Sequence, residues 1–136
     1  MFDLKTLALA DTTELHLVHP VTGDPLFADG DEQKQPLTVT LYGTASKQYR
    51  NHTAGMQNRH LKRQARKENV TADLLRDETI GLAVACTAKV CEYLTLNGEK
   101  IETTAQIRSL YSDARFGWLL EQVQEAVGDV ENFLGQ

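Results

Sequence analysis

Four histidines, two cysteines and scattered carboxylates are the side chains of this 136-residue sequence that could do chemistry, and their spacing gathers none of them into a site. His16 and His19 stand on a segment that reads as extended, where a three-residue offset points them to opposite faces. His52 and His60 are two helical turns apart, too far for one small metal ion, and no cysteine lies at a ligand spacing from either. Cys86 falls on an apolar helix face, where a thiol is a small packing residue. On a helix Cys91 would point elsewhere, so the two are expected to be separate thiols, as in a reducing compartment. There is no Gly-x-Ser-x-Gly, no phosphate loop and no dinucleotide fingerprint. The expectation is a protein that is not an enzyme and holds no metal or cofactor.

What the sequence does concentrate is charge and aromatic surface. Half of its fourteen basic residues lie between Lys47 and Lys67, and Arg59, Lys62, Arg63 and Arg66 form the candidate contact face there. The first 43 residues hold seven acids against Lys5 and Lys34. Such separation suits a contact between unlike patches, either within one molecule or head-to-tail between copies. The net charge of −5 and the lack of aromatics among the cations argue against nucleic acid as main partner. Tyr111, Phe116, Trp118 and Phe133 are the candidate partner-binding aromatics, although aromatics at helical spacing serve more often as core.

These residues need elements to position them. The first thirteen residues read as an entry strand or a single helical turn. Glu14–Pro20, Leu26–Ala28 and Leu37–Tyr42 are expected to make a small antiparallel sheet, joined by turn chemistry at 20–25 and a polar loop from Ala28 to Pro36 carrying Asp29, Asp31 and Glu32. Gly43 marks the change to helix. Ser46 or Thr44 can cap a helix to about Lys67, poor in apolar residues and exposed on most sides. Thr71 caps the next, and residues 78–92 are taken as the most buried helix. Asn97-Gly98 signals a hairpin or a helix end. Thr103 with Gln106 fits a capping box before a short helix, Ala105–Tyr111. In the final stretch Phe116, Leu119, Leu120, Val123 and Val127 share one helix face, Asp113 stands at its start, and Gly128 can end it before a last turn capped by Asp129. Trp118 is off that face, so this helix has a second apolar side. The fold class is α+β: a small N-terminal antiparallel sheet (residues 1–43) followed by about four helices (44–136), as one domain. No apolar run approaches a membrane span, and the N-terminus does not read as a signal peptide.

The final stretch also carries a family likeness. Leu110-Tyr111 with Asp113, Arg115-Phe116-x-Trp118, Glu121-Gln122-Val123 and Asn132-Phe133-Leu134 together resemble the C-terminal signature of tail assembly chaperones of long-tailed bacteriophages. Weaker echoes are Pro20-x-Thr22-Gly23, the strand ending at Gly43, Ser46-x-x-Tyr49-Arg50 and Leu82-Ala83-x-Ala85-Cys86-Thr87. The sequence departs from the family at Ala88-Lys89-Val90, where relatives often continue to a tryptophan. The resemblance implies a protein that binds the long apolar tape measure protein during assembly, keeps it soluble and helps recruit tail tube subunits. It implies action in the bacterial host cytoplasm, absence from the mature virion, and several copies on one tape. Two other classes compete with it: a small nucleic-acid-binding or regulatory module using residues 47–67, and a structural tail completion protein.

Overall fold

The computed structural model describes residues 1–28 and 34–134; the acids expected at Asp29, Asp31 and Glu32 lie outside the described residues. A single 3-10 turn, Leu4–Leu7, opens the chain, with the Asp3 carboxylate accepting from the Lys5 N–H. Strand β1 (Thr12–His16) pairs antiparallel with β2 (Thr38–Tyr42) in a register that sets Thr13 opposite Leu41 and Leu15 opposite Val39. Alternation places Val39 and Leu41 on the buried face and leaves Glu14, Thr38 and Thr40 on the other.

The third strand is not the expected one. Leu26–Ala28 makes only isolated bridges, Val18 with Pro25 and Phe27 with Pro36. β2 instead takes its second neighbour from far along the chain, β3 (Thr87–Val90), so the sheet order is β1-β2-β3. This corrects the expected buried helix over 78–92, which stops at Cys86. The physical cause is at Thr87. Its hydroxyl donates to the Ala83 carbonyl at the helix end and accepts from the Tyr111 hydroxyl, both at 2.7 Å. The next residues then satisfy the open edge of β2, with a bulge at Ala88 between the Leu41–Thr87 and Thr40–Lys89 pairs.

The helices follow their caps. Ser46, fully buried, donates to the Gly43 carbonyl (2.6 Å) and accepts from the Tyr49 N–H, starting α1 (Lys47–Arg66). No α1 residue is buried, and its main neighbour is α2 (Ala72–Cys86), capped by Thr71. β4 (Thr95–Leu96) and β5 (Glu99–Lys100) form the hairpin at Asn97-Gly98, both residues with positive φ, 54° and 80°. The Thr103/Gln106 capping box is present and begins α3 (Thr104–Ser112). Asp113 caps a 3-10 turn, Ala114–Phe116, before α4 (Gly117–Gly128), and Asp129 caps the last turn, Val130–Phe133.

One continuous core joins the two parts of the chain. Leu17, Val39 and Leu41 meet Ile80, Val84 and Cys86 of α2, Leu110 and Tyr111 of α3, and Leu119 and Val123 of α4. The fold is thus α+β, a three-stranded antiparallel sheet with four helices. The Phe133 ring closes the end of this core over Gly43, where any Cβ would lie 2.5 Å from it. Gly43→Ala is therefore expected to destabilise the protein by about 1–3 kcal/mol through overpacking. Urea unfolding should show a smaller cost for the same change in a Phe133→Leu background, because the two side chains compete for one space.

Candidate functional site

The four candidate aromatics divide into two pairs. Tyr111 is 1% exposed and Phe133 2%, so neither offers a surface to a partner. Tyr111 supplies the hydroxyl that holds Thr87, and burial pushes its own pKa up to about 12. Both are corrected here from docking residues to core residues. Phe116 and Trp118 are only half-buried. With Leu26, Leu94, Leu96 and Leu119 they line a narrow apolar groove of about 70 Å³ between the start of α4 and the β4–β5 region, a space suited to an inserted side chain.

The rim of that groove is fixed electrostatically. Arg115 meets Asp113 at 2.7 Å and lies 5.7 Å from the centre of the Phe116 ring. The hydrogen bonds from the Arg115 side chain, then from its backbone N–H, hold the Asp113 carboxyl down at about 2. The cap that begins the 3-10 turn thus also orients a guanidinium over one aromatic face.

The basic face is likewise smaller than its sequence suggests. Arg59, Lys62 and Arg66 are exposed, with Arg66 only loosely near Glu68 at 3.8 Å. Arg63 is not part of that face: it turns inward to the nearly buried Glu78, 2.7 Å away across the α1–α2 interface. His60 approaches the other Glu78 oxygen at 3.3 Å. The Arg63 hydrogen bond outweighs burial and lowers the Glu78 pKa. Further along the same interface His52 places a buried Nε2 without a hydrogen-bond partner against Gly81. Burial, then Arg59 and Arg108, lower the His52 pKa and so favour the neutral ring.

In the sequence Glu78 has no individual role, and Gln122 has a place only within the quoted motif Glu121-Gln122-Val123. The Gln122 amide donates to the Val18 carbonyl (2.9 Å) and accepts from the Val18 N–H (3.1 Å). No local spacing rule links residues fifteen or a hundred positions apart, so no signal was available for either. The thiols remain free, with Cys86 buried and pushed up to about 11 by that burial. Among the described residues no three metal-type ligands converge and no helix is long and apolar enough to cross a membrane. Comparison of the chain with protein-family models, curated proteins and solved structures found no match.

The α1–α2 interface titrates in a defined order. The lowered His52 pKa makes the folded state bind fewer protons than the unfolded one, so stability should start to fall as pH drops below 6.5. The lowered Glu78 pKa adds stability that is fully present above 4.5 and lost as pH falls through the folded value. Urea midpoints against pH should show His52→Gln flattening the first decline. Glu78→Gln should lower stability at neutral pH and flatten the second.

Proposed function

We propose that this chain is a tail assembly chaperone, binding an apolar helix of the tape measure protein through the groove beside Phe116 and Trp118. The observation that carries this reading is the second apolar side of α4. Leu119, Val123 and Val127 turn inward, while Trp118 is only partly buried, next to Leu94 and Leu96. An apolar helix in water aggregates unless its surface is covered, and a neighbouring protein can cover it by admitting its side chains into such a groove. One small groove gives one modest contact. Strength comes from many copies along a long tape, which leaves each copy free to leave as tube subunits arrive.

On this reading the protein is a non-catalytic assembly factor of the host cytoplasm that stays out of the finished particle and helps bring in tail tube subunits. Nucleic-acid binding is the second reading, favoured by one observation: α1 contains six Lys or Arg residues and no acid. It requires an affinity for duplex DNA that falls steeply with salt. A structural tail component would instead be found by mass spectrometry in mature virions.

Co-expression should raise the soluble fraction of a tape measure protein from the same phage genome and should co-purify the two. Trp118 is the only tryptophan, so its emission reports the groove directly. A shift is expected on adding tape measure helix peptides, and Trp118→Ala should weaken their binding about tenfold or more. Unchanged emission together with an insoluble tape measure protein would reject the proposal.

A further inference from the structure

Large apolar side chains stand exposed at Met1, Phe2, Leu4 and Leu7, with Leu4 75% exposed and Leu7 54%. The segment that carries them is shaped by its own bonds. The Asp3 carboxylate accepts from the Lys5 N–H, and the Thr6 hydroxyl donates to the Asp3 carbonyl. These hold the 3-10 turn Leu4–Leu7, none of whose residues is buried. Side chains three apart eclipse in such a turn, so Leu4 and Leu7 form one apolar face. That face has no cover.

The tether of this segment lies close to an apolar groove. Ala10 donates to the Phe133 carbonyl and Gly43 donates to the Asp11 carbonyl, the first backbone bonds that tie the segment to the rest of the protein. Gly43 in turn accepts from the Ser46 hydroxyl, which accepts from the Tyr49 N–H. Through these bonded neighbours Tyr49 is roughly 15 Å from Asp11. Tyr49 lines a groove of about 170 Å³ between α1, α2 and α4, with Leu82, Val123 and Val127 as further apolar walls and Thr79 and Gln124 as polar ones. Tyr49 and Leu82 are only partly buried, so water reaches those walls. Leu4 is seven residues from Asp11, roughly 23 Å of extended chain, so both leucines reach the groove.

We infer that residues 1–9 are a strap that closes over this groove, seating Leu4 and Leu7 against Tyr49, Leu82, Val123 and Val127. The arrangement described above is its open state. The hinge is Ala8–Ala10, which begins in extended backbone and has small side chains at both ends. Closing takes two apolar surfaces out of water at once, at the cost of ordering a few residues. Those opposing effects are both small, so the strap opens and closes rather than locking. Anything that enters the groove at Tyr49 must first displace it. This groove is separate from the one beside Trp118, and the inference needs nothing but the chain itself, so it stands apart from the chaperone reading.

Disulfide trapping tests it. In a Cys91→Ser background, with Cys86 fully buried, the pair Lys5→Cys/Gln124→Cys can bond only when the two Cα atoms come within about 7 Å. Oxidation in dilute solution should yield a monomer that has lost both introduced thiols. Adding Leu4→Ser/Leu7→Ser should slow that closure about tenfold, because the tether is unchanged and only the apolar contact is lost. Circular dichroism identifies a pair that fails to fold, and Thr79→Cys then replaces Gln124→Cys with the same closure expected. A folded pair that never closes overturns the inference. So does closure at an undiminished rate in the serine variant, which would make the segment a loose tail with no seat. Covalent dimers in place of closed monomers overturn it too, since the strap would then enter a neighbouring molecule.

Discussion

The structure depends on a short run of hydroxyls and one carbonyl buried where three elements meet. Tyr111 on α3 donates to Thr87, and Thr87 donates to the last turn of α2. Each oxygen is shut away from water, where an unsatisfied polar group costs about 1–3 kcal/mol, so the three groups hold one another in place. The consequence reaches beyond the bonds themselves. By ending α2 at Cys86, Thr87 delivers the next four residues to the open edge of β2. A two-stranded ribbon is marginal in water, and the third strand makes it a sheet with a face worth packing on. The first 43 residues and the helical remainder thereby share one core.

Local chemistry was legible and distant chemistry was not. Ser46, Thr71, Thr103 with Gln106 and Asp129 all cap where their side chains suggested, because a cap is a matter of a few neighbouring residues, whereas Asp113 caps a 3-10 turn and α4 starts at Phe116 without a side-chain cap. Asn97-Gly98 turned as its tolerance of positive φ required. β3 was hidden because Leu82, Cys86, Val90 and Leu94 continue a helical spacing straight through it, with no Gly or Pro to interrupt. Only the vacancy beside β2 overrides that spacing, and a vacancy belongs to the assembled fold rather than to the segment that fills it. Leu26–Ala28 was expected as a sheet strand and lies beside its expected neighbours, but it meets them only through the isolated bridges Val18–Pro25 and Phe27–Pro36.

The candidate surfaces show the same division. Periodicity identified the faces of α1 and α4, yet it does not say which face a neighbour covers. Trp118 was expected off the main stripe and is half-exposed. Tyr111 and Phe133 are chemically similar to it and are core, because one is drawn in by Thr87 and the other by the missing side chain at Gly43. Arg63 shares its helix with five exposed cations and turns inward, because Glu78 on the facing helix offers it a carboxylate.

The Gln122–Val18 pairing has a consequence for the outer border of the sheet. Backbone groups of odd-numbered residues in β1 face β2, as Asp11 and Leu17 do, so those of even-numbered residues line the sheet's outer border. At one end of that border Ala10 donates to the Phe133 carbonyl. At the other, the Gln122 amide imitates a peptide unit and closes both polar groups of Val18. A foreign strand seeking to zip on finds its two footholds taken and the Glu14 carboxylate exposed between them. That border of the sheet is thus closed at both ends by groups that arrive from the last helices of the chain.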